Sequence, residues 1–298
     1  MALSIVLAIA SSNLVSANVS VVVADMKSTA DNFLSALTDE ERATATFKFG
    51  DDQRVDWHFI PKDRKGLALN QISGEKKTLA YALLSSGLST RGFIQSTTIM
   101  TLEKILQDME GPGRRFPRDP ELYHVSIFGT PSTEGTWGWS FEGHHLSANF
   151  TIIEGTFISA TPHFMGTNPA LVKEGPRKGV QVLGLEENMA RELIKSLKPN
   201  QRKKAIIGDK APSEIFTAAE KFVSPLENKG IASTDLNWSQ VEALLRLLKP
   251  TCFTCALNWQ KSNWKRLRKQ GSKTSNLHGW GALASRTRTI TAFKAPHS

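Results

Sequence analysis

The chemistry-bearing cluster of this sequence is Glu142-Gly143-His144-His145, followed closely by Ser147 and Asn149. Imidazoles exchange protons near neutral pH and ligate metals, and a neighbouring carboxylate can orient them or share the proton traffic. The functional reading makes His144 and His145 metal ligands or acid–base groups, with His58 as a third metal ligand and Glu142 as the catalytic carboxylate. The bland reading makes them structural histidines, one packed and one hydrogen-bonded. No ligand spacing such as H-E-x-x-H occurs to decide between them.

Which histidine faces a site depends on where a strand begins. If a strand already runs at His144, alternation places His145 with Ser147 and Asn149, and His144 with Leu146 and Phe150 toward the core. If the chain turns at Gly143, both imidazoles can converge at the mouth of the turn. Two further groups are weighed beside this cluster. Trp137 and Trp139 share a strand face, which suits either a stacking platform for sugar rings or bases, or a core row. Arg114, Arg115 and Arg118 form a basic loop, either a solvated surface or an anion site.

The elements that must position these residues follow from apolar periodicity. Ser28-Thr29-Ala30-Asp31 before Phe33, Leu34 and Leu37 predicts a capped helix, and Asp39-Glu40-Glu41 opens another turn. Val55 to Ile60 alternates as a strand does and is closed by Pro61. Helical spacing returns from Ser73 through Leu84 and from Ile94 to Met109, with Gly87 and Gly111 at the ends. Period two then appears in Tyr123/Val125/Ile127, in Trp137/Trp139/Phe141 and in Leu146/Ala148/Phe150/Ile152, separated by turn residues. Helices are expected again over Glu186–Leu197, Pro212–Phe222 and Trp238–Leu248. The sequence predicts an α+β fold: an antiparallel meander around 121–163 packed with N- and C-terminal helices.

A chain of 298 residues with 40% hydrophobic content can bury a sizeable core. Of its 37 Lys and Arg, nine lie in residues 250–298, leaving 28 against 28 Asp and Glu in the body. The net charge of +9 therefore belongs to the tail, and a nucleic-acid partner is not expected of the neutral body. Residues 1–17 carry no charge, Ala2–Ala10 has the length of a signal-peptide core, and Val15-Ser16-Ala17 offers small residues for cleavage. Export to the periplasm or beyond is the expectation if residues 1–17 are a signal peptide; without one the chain is cytoplasmic. No segment is expected to span a membrane. Cys252 and Cys255 make a lone C-x-x-C, weak as a metal or redox motif.

Several long segments carry a resemblance: Val55-Asp56-Trp57-His58-Phe59-Ile60-Pro61, Thr97 to Glu103, Arg118-Asp119-Pro120-Glu121-Leu122-Tyr123, Val125 to Gly129, and Trp137 to Phe150. With Gly175-Pro176-Arg177 and Gln201 to Ala205, they are similar, in order, to the bacterial family catalogued as domain of unknown function 3500. The likeness covers about residues 27–249, read as a single domain. The resemblance carries no reaction with it. It implies a C-terminal segment with an H-x-H pair, which this chain does not contain, so a site completed by that segment is present only in half.

Residues 250–298 hold no Asp or Glu and show no helix or strand pattern, unusual for 49 residues. Read in a shifted frame, Asn258-Trp259-Gln260 must encode Leu-Ala and Asn263-Trp264-Lys265 must encode Leu-Glu, while Ala284 to Ser298 permits a stretch resembling the family's continuation. A frame shift near Pro250 is expected, leaving a basic, disordered tail. Three functions are carried forward. One is an exported enzyme, a metal-dependent hydrolase using a divalent metal. Another is a non-enzymatic domain for a small-molecule or saccharide ligand. The last is nucleic-acid binding through the basic tail, ranked below the others because its charge is confined to residues read as out of frame; with the present frame real, the chain is an inactive truncated family member.

Overall fold

The computed structural model describes residues 2–113, 115–210, 212–223 and 229–252, with the side chains of residues 2–18 and 249–252 left aside. The Arg114 and Cys255 readings, and the tail beyond residue 252, lie outside the described residues.

The chain opens with α1 (Ala2–Ala36) and α2 (Asp39–Ala45). Val19, Val23, Met26, Ala30, Phe33 and Leu37 are all buried at alternating steps of four and three, the spacing that puts one helix stripe against a partner. The partner is α3 (Glu75–Gly87), followed by α4 (Thr90–Glu110). The cap expected at Ser28 does not form, because that serine lies inside α1 and the apolar stripe continues on both sides of it. The second expectation holds: Thr38 caps α2, and Glu41 returns the bond to the Thr38 amide in a capping box. Gly111, at φ +73°, closes α4 in a conformation that a glycine adopts without strain.

The sheet contains β1 (Thr46–Phe47), β2 (Leu67–Ala68), β3 (Tyr123–Phe128), β4 (Trp137–Gly143), β5 (Leu146–Ile153), β6 (Phe157–Ser159) and β7 (His163–Met165). Strands β3 to β6 form the expected antiparallel meander; β1 joins β3 in parallel, β2 pairs β3, and β7 pairs β5. The class is α+β, with a mixed and mostly antiparallel sheet of seven strands among the described residues.

Registered partners share a face, so the ladder sorts every strand residue. One face presents Tyr123, Val125 and Ile127, then Trp137, Trp139 and Phe141, then Leu146, Ala148, Phe150 and Ile152. These pack with α1, α3 and α4 into one hydrophobic core. The opposite face is polar: His124, Ser126, Ser140, Glu142, Ser147, Asn149 and Thr151. Two irregular segments, around 51–66 and 212–221, supply the Trp57, Phe59, Ile215 and Ala219 that form a small cluster with Phe164 on this side.

That arrangement corrects two expectations. Residues 55–60 are not a strand: a 3-10 turn covers Asp52–Val55, and the following residues form no ladder. Their alternation reflects Phe59 turning inward toward Phe164, at 4.5 Å between ring centroids, while Trp57 joins the same small cluster. Pro212–Phe222 is a series of turns rather than a helix, since only Ile215 and Thr217 in it are buried. The C-terminal helices are α5 (Gly184–Ser196), α6 (Pro199–Ala205) and α7 (Trp238–Cys252), with α5 and α7 packed on each other.

Candidate functional site

The β4–β5 connection is a two-residue hairpin made by His144 and His145 themselves, because Gly143 pairs with Leu146 and ends the ladder. Neither histidine is a strand residue, so the alternation argument does not apply to them and both imidazoles emerge at the turn. His145 has φ +61°, a region where His is tolerated better than most residues yet still costs about 1 kcal/mol. Three hydrogen bonds fix it: the His145 amide donates to the Phe59 carbonyl (2.9 Å), the Gly166 amide to the His145 carbonyl (2.8 Å), and the Tyr123 hydroxyl to the His144 carbonyl (2.8 Å).

The two rings stack at 3.8 Å between centroids and 29° between planes. His144 Nδ1 lies 2.6 Å from Glu103 Oε1, with side-chain exposures of 12% and 5%. Arg118 is also close, its guanidinium 3.3 Å from the same nitrogen and held by Glu110 through bonds of 2.8 and 3.2 Å. The shorter contact assigns the proton to Nδ1, donated to Glu103, which leaves Nε2 with the lone pair. His145 is pushed down to about 3, first by burial and then by the positive charges of His144 and Arg118. It is a neutral imidazole at physiological pH, and no side chain among the described residues hydrogen-bonds its ring.

Glu142 lies beside the turn on the polar face and is fully engaged. Its Oε1 accepts from Arg64 Nε (2.7 Å) and the His58 amide (3.2 Å), and its Oε2 accepts from the Ser147 hydroxyl (3.0 Å). Burial raises its pKa, while Arg64 and the other donors pull the other way. The Arg64 Nη2 also donates to the carbonyls of His58, Ile60 and Gly143. Glu142 therefore anchors the 56–65 loop to the sheet, with both carboxylate oxygens engaged. His58 spends Nδ1 as acceptor for the Phe59 and Ile60 amides, and burial lowers its pKa.

His58, His144 and His145 are not gathered into a ligand set: among the described residues no group of three or more His, Cys, Asp or Glu is arranged to hold a metal ion. Trp137 and Trp139, at 0% and 1% exposure, are core and offer no stacking platform. Arg118 is committed to Glu110 and His144, and the Arg115 guanidinium lies over the Phe116 ring.

The residue that sequence reading missed is Glu103. It sits on the buried stripe of α4 with Ile99, Leu102 and Leu106, and a carboxylate on an apolar stripe is itself the signal of a buried partner. Glu103, Arg118, Tyr123 and the two histidines come from separate segments quoted above for the resemblance, and the fold brings them to one turn.

No helix among the described residues is long and apolar enough to cross a membrane. No curated protein and no solved structure matches this chain. A family model described as "Protein of unknown function (DUF3500)" matches residues 20–282, a span wider at both ends than the quoted segments and reaching into the basic tail. With most of its length inside that match, and the family's segments meeting at one buried turn, the chain belongs to the DUF3500 family.

Proposed function

We propose that the β4–β5 turn is the acid–base site of a hydrolytic enzyme. The observation that carries this reading is the 2.6 Å contact between Glu103 and His144 Nδ1. A buried carboxylate on one ring nitrogen fixes the tautomer and orientation of an imidazole and stabilises its protonated form. His144 Nε2 is then the atom that takes a proton from an attacking water or hydroxyl and returns it to the leaving group. His145, held neutral by burial, stacks on His144 and packs one face of its ring.

The test is a panel of chromogenic esters, amides and glycosides, with turnover compared between wild type, Glu103→Gln and His144→Gln. Loss of about a hundredfold or more in both variants is expected. Unchanged turnover in Glu103→Gln sinks the reading, and a wild type inert on the whole panel favours an inactive family member.

A divalent metal is the second reading, because a carboxylate on the far nitrogen is also how metal-ligating histidines are held. His144 and His145 would be two ligands, with the rest supplied from outside the described residues. It predicts stoichiometric metal in protein purified without chelators and its loss in His145→Ala. Export belongs to the same proposal; N-terminal sequencing of the secreted protein should begin at Asn18.

A further inference from the structure

The polar sheet face holds a crevice away from the histidine turn. Its volume is about 290 Å³, at the small end of ligand pockets. Its lining includes Asn149 and Thr151 of β5 together with Arg54, Trp57, Thr161 and Lys221. Asn149 spends its amide nitrogen on Ser147 Oγ and the Pro162 carbonyl, both at 2.9 Å, so its carbonyl oxygen remains an acceptor. Arg54 is fixed in place: its Nε donates to the Phe49 carbonyl at 3.0 Å, and its guanidinium lies 4.6 Å from the Phe49 ring centroid. Its terminal nitrogens carry no bond to any carboxylate among the described residues. The lining carries two basic residues, Arg54 and Lys221, against one acidic residue, Glu220, so its formal charge is positive.

We propose that this crevice binds a carboxylate-bearing sugar ring, a hexuronic acid. A half-buried Trp offers the apolar face on which a pyranose ring stacks, while Asn and Thr groups match its hydroxyls. A guanidinium held by its own Nε presents two remaining nitrogens in the fork that a carboxylate takes bidentately. The volume accommodates a monosaccharide. This site shares no residue with the His144 turn and stands or falls independently of it.

The test is calorimetry and saturation-transfer NMR on the full chain with sodium D-glucuronate, D-glucose and sodium acetate. Glucuronate is expected to bind, glucose at least about tenfold more weakly, and acetate not to compete at equal concentration. Arg54→Gln should weaken glucuronate about tenfold while leaving glucose unchanged. Trp57→Ala should abolish the transfer signal from the ring protons, and Trp57→Phe should restore part of it. The proposal is overturned by the absence of glucuronate binding. It is also overturned by equal binding of glucose, by full competition from acetate, or by unchanged affinity in Arg54→Gln.

Discussion

Replacing Arg64 with Met isolates the most buried ion pair among the described residues. The two side chains are 5% and 10% exposed, so solvent screening takes little from the interaction. Arg64→Met leaves the Glu142 carboxylate facing only the Ser147 hydroxyl and the His58 amide, and frees the carbonyls of His58, Ile60 and Gly143. Removing one partner of a buried pair costs about 3–5 kcal/mol. For a chain of this size, at about 2 °C per kcal/mol, that lowers Tm by about 6–10 °C. The pH dependence has a defined sign. Burial already raises the folded pKa of Glu142, and Arg64 opposes that rise. Without Arg64 the folded pKa climbs further, so the uncompensated charge is worst at neutral pH and relieved as pH falls through the raised value. Urea unfolding followed by far-UV circular dichroism at pH 7.5 and pH 5 should show the deficit shrinking on acidification. Adding Glu142→Gln to Arg64→Met should recover about 2 kcal/mol at pH 7.5. A deficit below about 1 kcal/mol, or one that grows on acidification, refutes the clamp.

Two further outcomes follow from the sheet. His163 is wholly buried on the core face with neither ring nitrogen hydrogen-bonded, and burial depresses it to about 4. Its neutral form is the stable one, so wild type loses roughly 3 kcal/mol as pH falls from 6.5 through 4, and His163→Leu should remove that acid limb in pH-dependent unfolding. Gly143→Ala would set a methyl 2.3 Å from the Tyr123 ring, directly across the ladder. It should cost about 1–3 kcal/mol in thermal unfolding and break the Tyr123–His144 bond, visible as a shifted His144 ring resonance.

The meander was legible because each apolar row, such as Trp137/Trp139/Phe141, repeats at period two with nothing to imitate it. The helices α3 to α5 were legible for the matching reason at period 3.6. The 51–66 loop was not, since Phe59 and Trp57 alternate by packing on the sheet rather than by joining it. In the site, the histidines and Glu142 stand together in sequence and were visible. Arg64 and Glu103 act across 78 and 41 residues, and no local spacing announces such partners. The ion partner of Glu142 escaped notice for that reason: it lies in a loop whose position only the fold defines.

The two-residue hairpin also limits how this family can drift. Because the histidines complete the turn with no slack, one residue inserted between Gly143 and Leu146 would leave a bulge, or else slip β5 by one place against β4. Slippage would exchange the faces of β5, sending Leu146, Ala148, Phe150 and Ile152 toward solvent and Ser147, Asn149 and Thr151 into the core. Length variation among relatives should therefore collect at the 129–136 and 166–183 connections, while the interval from Trp137 to Ile152 keeps a constant count.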